Sequence, residues 1–353
     1  MEKIIFAYSG GVDNLICIHY LQNKGFNVIT FLAQLGQITY LEPLGENAVN
    51  LGATVAHISD LRRKFIHDFI LPALHAQAVY DNGYLLAAAL SRPLIAEELV
   101  NIAEGEQCNY VAHGARGIGN DHIRFNNCIH NLAPQLKIIS PLKELGLKTV
   151  KDDIKYIKKH KLQIDTAKQA IYNIESNIWG VNIQLGAVGR QWMEPQRDSF
   201  IITTPLMETI DKATPIEIKL NQAIPVSLDN KKIELLEMIE LLNNIGGRNA
   251  IGRMDMIENK ISGEKIREIY EAPAATILYT AYQALSGLLM PKEVLQFQAT
   301  LSAKYAELIY QGACASPLKK ALDKLFYELS QKITGSVKLK AYKGNLTVVD
   351  RKG

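Results

Sequence analysis

An apolar run that stops abruptly on two glycines is the tightest constraint in this chain. Ile4-Ile5-Phe6-Ala7-Tyr8 has the character of a buried strand. Ser9-Gly10-Gly11-Val12-Asp13-Asn14 follows at once, and Leu15, Ile18 and Leu21 then recur at helical spacing. A strand that feeds a glycine turn at a helix N-terminus presents backbone N–H groups and the positive end of a helix dipole, which together suit an anion. Glycine lets the backbone approach a phosphate where a Cβ would collide. The spacing differs from Gly-x4-Gly-Lys-Ser/Thr and from Gly-x-Gly-x-x-Gly, so neither a P-loop nor a dinucleotide fingerprint is present. The same few residues would also suit an ordinary strand–turn–helix joint, and the turn alone leaves both readings open.

The chain beyond this turn alternates strand and helix signals. Strands are expected at 3–8, 27–33, 54–59, 110–112 and 137–139. Helices are expected at 13–24, 44–51, from Asp60 toward Leu71, at 85–104 despite Pro93, and at 149–160. Such alternation predicts an α/β fold with a parallel sheet, whose ligands sit beyond the carboxyl ends of the strands. The pattern changes after about residue 165. Ile216, Ile218 and Leu220 alternate as a strand, and a helix over 233–242 is expected to close at Gly246-Gly247. Strands at 251–257 and 266–270 precede helices at 275–289, 292–310 and 316–333, and a hairpin over 337–349 is expected to turn at Lys343-Gly344-Asn345. The expected division is therefore a nucleotide-binding unit at 1–165 and an α+β unit at 166–353.

Composition removes several function classes. With 353 residues, 48% hydrophobic and 21% charged, the chain has an ordinary globular make-up with room for about two domains. A net charge of +3 gives no clustered basic face for nucleic acid. The basic stretch at 148–161 is broken by Asp152 and Asp153 and reads as a solvated helix face. Four dispersed cysteines (Cys17, Cys108, Cys128, Cys314) form no C-x-x-C pair, which argues against a zinc site and fits a reducing, cytoplasmic setting. Neither a leader segment nor a membrane span is expected.

Four further stretches turn the general pattern into a specific one. They are Ala33-Gln34-Leu35-Gly36-Gln37, Ser91-Arg92-Pro93-Leu94-Ile95-Ala96, Ala112-His113-Gly114-Ala115-Arg116-Gly117-Ile118-Gly119-Asn120-Asp121-His122-Ile123-Arg124-Phe125, and Tyr270-Glu271-Ala272-Pro273. With the first turn, and in this order, they resemble argininosuccinate synthase, an ATP pyrophosphatase-type family, over nearly the whole chain. The resemblance implies a ligase that joins citrulline to aspartate, with ATP cleaved to AMP and pyrophosphate through an adenylated citrulline. Departure of pyrophosphate calls for N–H donors, a hydroxyl and Mg2+ around the developing charge. Ala7, Tyr8, Ser9, Gly10, Gly11, Val12, Asp13, Asn14, Ala33 and Gly114 match the family's nucleotide positions, with Asp13 organising the metal or the loop. Asn120 and Asp121 match its aspartate site. Tyr84, Arg124, Asn173, Asn182, Glu258 and Tyr270 match its citrulline pocket, where an Arg can hold a carboxylate bidentately and a Glu an amino group. Asp13, Asp121 and Arg92 form the expected catalytic set. His113 reads equally as a packed core histidine or a catalytic one.

The departures from the family concentrate on polar side chains. Asp-Thr-Ser after the glycines is here Asp13-Asn14-Leu15, and Gly-Thr-Ser after Tyr84 is here Ala87-Ala88-Ala89. His-Gly-Ala-Thr-Gly-Lys-Gly has become His113-Gly114-Ala115-Arg116-Gly117-Ile118-Gly119, and two serines appear as Asn173 and Asn182, with Gln184 nearby for a glutamate. A pocket built on hydrogen bonds discriminates strongly, so these changes bear on which substrates fit. Arg116 is expected to clamp a substrate carboxylate. Ligation of another ureido, amide or carboxylate substrate, or nucleotide binding without turnover, remain open alternatives on these residues. The family's C-terminal arm is not found after the last hairpin, so a homodimer is expected rather than a tetramer.

Overall fold

The computed structural model describes residues 1–81, 83–117, 119–162, 173–187, 194–195, 197–313 and 315–353. The first strand, β1 (Lys3–Ala7), runs into the glycine turn and helix α1 (Val12–Asn23); β2 (Asn27–Gln34), α2 (Glu42–Asn50) and β3 (Val55–Asp60) follow. A broken helical stretch comes next, α3 (Arg62–Phe65) and α4 (Leu71–His75) joined by a π-helical turn over Ile66–Ile70. The long helix α5 (Ala87–Gly105), β4 (Tyr110–His113), α6 (Asn120–Leu132), β5 (Lys137–Ile139), α7 (Pro141–Glu144) and α8 (Val150–His160) complete the first half. The five strands form one wholly parallel sheet in the order β3-β2-β1-β4-β5. Alternate residues of β1 serve opposite faces: Ile4 and Phe6 pack with α1, whereas Ile5 packs with α5 and its neighbours. Burial on both faces explains why these strands read as unbroken apolar runs.

The α/β prediction holds, and most element bounds fall within a residue or two of expectation. Thr149 caps α8 in a reciprocal box with Asp152, the sequence signature of a helix start. Asp60 accepts a 3.1 Å bond from the Arg62 N–H at the start of α3, but Leu61 occupies the cap position. Helix α5 passes through Pro93 without ending.

The remainder is built on two antiparallel sheets. One has the order β11-β12-β7-β6, from β6 (Asn173–Asn177), β7 (Gly180–Ala187), β11 (Arg253–Asn259) and β12 (Lys265–Glu271). The other has the order β10-β9-β8-β13-β14, from β8 (Thr214–Asn221), β9 (Ile224–Leu228), β10 (Lys231–Lys232), β13 (Gly335–Tyr342) and β14 (Asn345–Lys352). Helices α9 (Leu235–Arg248), α10 (Pro273–Leu289), α11 (Lys292–Tyr310) and α12 (Pro317–Ser330) complete it. The hairpin β13–β14 turns at Lys343 and Gly344, both at positive φ, as Lys-Gly-Asn suggested.

The hairpin β6–β7 was not expected, and its tip fastens the two halves together. Ile178 N–H donates to Leu35 O at 2.8 Å, Asn177 Nδ2 to Ala87 O at 2.9 Å, and the fully buried Trp179 ring N–H to Leu85 O at 3.2 Å. One face of the four-stranded sheet is thereby turned toward α5 and α6.

The expectation that Gly246-Gly247 ends the preceding helix is corrected: α9 runs through both glycines to Arg248. Their role is close approach. A Cβ on Gly246 would lie 2.7 Å from Pro273 Cβ, and one on Gly247 only 2.5 Å from Ile202 O. Alanine normally favours a helix over glycine by about 1 kcal/mol, whereas overpacking costs about 1–3 kcal/mol. Because the second effect meets backbone that cannot step aside, Gly247→Ala is expected to lower unfolding stability by about 1–2 kcal/mol in urea titration. A stabilised variant would show that the contact relaxes freely.

Candidate functional site

The glycine turn lies at the carboxyl end of β1, beside the loop after β4. Gly10 takes φ +81°, and a Cβ there would strike the Leu44 side chain at 2.6 Å. Gly11 caps α1 with extended backbone, and no side chain accepts from the first helical turn. Asn14 N–H donates back to Gly11 O at 3.0 Å, and no N-cap side chain competes for the amides before it, the geometry an anion requires. Gly114 packs against this turn, where an added Cβ would sit 3.1 Å from Asn14 Nδ2. Ala7 ends β1 and Ala33 lies near the end of β2, so the small residues expected to line a nucleotide share one rim of the sheet. Tyr8 is buried and its hydroxyl accepts from Asn47 at 3.2 Å. Val12 is the first residue of α1.

Asn14 takes an unforeseen part. Its Oδ1 accepts from the Ser9 N–H at 2.6 Å and the Ser9 hydroxyl at 3.2 Å, while its Nδ2 donates to Asp13 Oδ1 at 3.0 Å. Burial pushes the Asp13 carboxyl up, Arg116 pulls it down and Asp153 pushes it up. Arg116, expected to face an acidic substrate, instead holds the nearly buried Asp153 through both terminal nitrogens, and Nη1 also lies 3.4 Å from Leu147 O. Its guanidinium is thus engaged by a protein carboxylate next to the glycine turn. Among the described residues no cluster of three or more acidic, histidine or cysteine side chains could cage a metal. Magnesium, which keeps waters and takes one or two carboxylates plus phosphate oxygens, fits Asp13 under those terms.

The second cluster forms where the polar face of β6, β7, β11 and β12 meets α5 and α6. Arg92 of α5 donates to Asp121 Oδ2 through Nε at 2.9 Å and Nη2 at 2.7 Å, and Nη2 also meets Glu175 at 2.6 Å. Arg124, one turn along α6, donates to Asp121 Oδ1 at 2.9 Å and to Tyr310 O at 2.8 Å, with its guanidinium 4.7 Å from the centre of the Tyr310 ring. Burial works against the Asp121 carboxylate, but the two arginines outweigh it and hold its pKa down at about 2. Burial raises Glu175 despite Arg92. Asn120 donates to Tyr310 Oη at 2.7 Å and to Glu258 at 3.3 Å, its Oδ1 accepts from the Ile261 N–H at 3.0 Å, and the Tyr310 hydroxyl donates to Glu258. Asn182 donates to Glu268 at 3.0 Å. Tyr84 meets Tyr270 edge-on at 5.1 Å.

The structure therefore gathers Arg92, Asn120, Asp121, Arg124, Asn182, Glu258, Tyr84 and Tyr270 in one region. The Asn173 side chain lies outside the described residues, although its backbone pairs with Gln184. Tyr84 also caps α5, where the sequence has only alanines: its oxygen accepts from the Ala88 and Ala89 N–H groups at 3.1 and 3.4 Å. His113 is a buried neutral histidine, lowered to about 4 by burial, whose Nε2 lies 3.3 Å from the Ser140 hydroxyl. Sequence reading missed Glu175, Glu268 and Tyr310. The period-two spacing of Glu175 to Asn177, and of Glu268 to Tyr270, was a signal for the first two. Tyr310 had none beyond its place at the end of a long amphipathic helix. A cleft of about 550 Å³, bordered by Tyr80, Asp81, Lys260, Glu307, Tyr310 and Gln311, opens outside this cluster.

Three groups in the cluster are buried or nearly so and without a hydrogen-bond partner: Arg124 Nη2, Asn182 Oδ1 and the Tyr270 hydroxyl. A free cationic donor and a free acceptor beside carboxylates complement an amino acid, with its carboxylate and ammonium.

Fold and site together define a parallel-sheet protein of nucleotide-binding type, with a buried cluster of arginines and carboxylates where α5 and α6 meet the four-stranded sheet. A family model for the argininosuccinate synthase N-terminal HUP domain matches residues 3–163, and one for the argininosuccinate synthase C-terminal domain matches residues 172–353. Curated argininosuccinate synthases are similar throughout. Those of Chlorobium luteolum and Desulfitobacterium hafniense are each 41% identical over 99% of this chain, covering 88% and 87% of their own lengths. A solved structure from Methanocaldococcus jannaschii, described as a "predicted subunit of tRNA methyltransferase", overlaps loosely: TM-score 0.31, 17% identity, 45% of this chain and 76% of its own. The chain belongs to the argininosuccinate synthase family.

Asp121 is the tie between the two arginines, and removing its charge leaves them facing each other. Asp121→Asn is expected to cost about 3 kcal/mol of stability, as for a buried pair that loses one partner. The sign with pH follows from the lowered pKa. Asp121 contributes stability fully above the ordinary carboxylate value of 3.8, and that contribution is lost as pH falls toward 2. Acid denaturation of wild type and variant should therefore converge at low pH; a constant gap would assign the loss to packing.

Proposed function

We propose that this protein joins citrulline to aspartate, with ATP cleaved to AMP and pyrophosphate. The observation that carries the reading is the pair of unsatisfied groups, Arg124 Nη2 and Asn182 Oδ1, beside Glu258 in a member of this family. Arg124 binds the citrulline carboxylate, and Glu258 with Asn182 takes its ammonium. Asn120 and Asp121, at the start of α6, position the aspartate. Gly10, Gly11 and the first amides of α1 receive the triphosphate, and they stabilise charge on the departing pyrophosphate because they are fixed before it develops. Magnesium, held by Asp13 and phosphate oxygens, would supply further positive charge there. The division into a nucleotide unit at 1–165 and a second unit at 166–353 fits this reading, since the glycine turn is built within the first unit and the arginine–carboxylate cluster takes residues from both.

Two experiments test it. Pyrophosphate release should require citrulline, aspartate and ATP together, and Asp13→Ala should weaken ATP binding at least tenfold by calorimetry, about 1.4 kcal/mol or more. Release with other amino acids alone would overturn the substrate assignment, and unchanged ATP affinity would move the nucleotide elsewhere.

Arg116 is assigned to the nucleotide side. Arg116→Thr removes the cation that holds down Asp13 and strands Asp153, so the KM for ATP should rise while that for aspartate changes little. The reverse pattern would restore the carboxylate-clamp role.

A further inference from the structure

Tyr310 is the last residue of α11, and the turn behind it rests on α6. A Cβ on Gly312, which takes φ +72°, would lie 2.8 Å from Arg124 Cα, so the two backbones meet where only glycine fits. Asn127 Nδ2 lies 3.5 Å from Gln311 O across the same contact. The Tyr310 side chain is buried and stacks on Tyr80, with ring centres 3.7 Å apart and planes 8° from parallel. Tyr84 meets the same ring edge-on at 6.3 Å. A ring packed between two aromatics, on a backbone docked against α6, is a fixed point in the cluster.

From that point Tyr310 reaches three recognition side chains. Its carbonyl accepts from Arg124 Nε at 2.8 Å, and its ring lies 4.7 Å from the same guanidinium. Asp121 takes Arg124 Nη1 at 2.9 Å, which leaves Nη2 as the nitrogen without a partner. The Tyr310 hydroxyl donates to Glu258 Oε1 and accepts from Asn120 Nδ2 at 2.7 Å. Asn120 Nδ2 also donates to Glu258 Oε1 at 3.3 Å, so the three side chains close a triangle of hydrogen bonds. Burial, and then the Glu258 charge, pushes the phenol up, so the hydroxyl keeps its proton and remains a donor at neutral pH.

We infer that Tyr310 is a positioning residue that joins the two amino-acid subsites, its hydroxyl aligning Glu258 with Asn120 and its carbonyl aligning Arg124. The inference rests on the citrulline and aspartate reading, which gives Arg124 and Glu258 to one substrate and Asn120 to the other. The tyrosine acts through those side chains rather than on either substrate. Without the hydroxyl, Glu258 loses a donor and Asn120 an acceptor, and each can turn about its last torsion. Substrate binding must then restore an order that the free protein already has, and affinity falls by that cost.

Tyr310→Phe tests the assignment, because phenylalanine keeps the stack on Tyr80, the ring beside Arg124 and the carbonyl, and removes the hydroxyl alone. In pyrophosphate-release assays the KM for citrulline and the KM for aspartate should each rise about tenfold, with kcat and the KM for ATP within about twofold of wild type. Asn120→Ala and the double variant with Tyr310→Phe should share one KM for aspartate, since the tyrosine reaches that substrate through Asn120. Unchanged amino-acid KM values in Tyr310→Phe would overturn the assignment. So would a rise for all three substrates together, the mark of a general structural loss, or additive effects on aspartate in the double variant. If the wild type releases no pyrophosphate with citrulline and aspartate, the substrate reading falls instead.

Discussion

Asp121 lies between Arg92 and Arg124, and the site depends on that bridge. Burying ionisable groups at the junction of two sheets is costly, and a Coulombic pair repays the cost only when hydrogen bonds satisfy the remaining atoms. Here Asp121 commits one oxygen to each guanidinium, so a single carboxylate fixes a residue of α5 relative to one of α6. Glu175 then joins the pocket sheet to the same arginine. The arrangement exists only because the β6–β7 tip is bonded into the loops at Leu35 and Leu85–Ala87. Packing sets the orientation, and the charges use it.

That order of causes explains what was legible in the sequence. The glycine turn, the parallel strands and the Thr149 capping box are local, because each is written in residues that touch one another along the chain. Gly246-Gly247 misled for the complementary reason. Glycine next to a helix commonly signals its end, but here the missing Cβ answers to Ile202 and Pro273, residues distant in sequence. Glu175, Glu268 and Tyr310 acquire meaning only through strand register and through the turn after α11. Period-two spacing places Glu175 with Asn177 and Glu268 with Tyr270 on one face of a strand, but what covers that face is set by residues distant in sequence. Arg116 shows the same limit: its position beside Asn120 and Asp121 in sequence suggested a substrate clamp, whereas the helix α8 carries Asp153 to it.

The two charged clusters are joined by a single segment. The loop after β4 contributes Gly114 and Arg116 to the glycine turn, and α6 begins directly beyond it with Asn120, Asp121 and Arg124. The glycine-turn side and the arginine–carboxylate cluster are thus joined within eleven positions, from Gly114 to Arg124. A shift of that segment toward a bound phosphate would carry Asp121 with it and disturb both arginines. Reaction between two bound substrates needs their atoms within about 3–3.5 Å, and errors of about 1 Å are expensive. A shared, rigid segment meets that requirement better than two independent loops. It also gives the side-chain changes around the pocket a physical limit: Asn182 and the alanines after Tyr84 can be accommodated because they leave the β4–α6 connection and its Asp121 bridge intact.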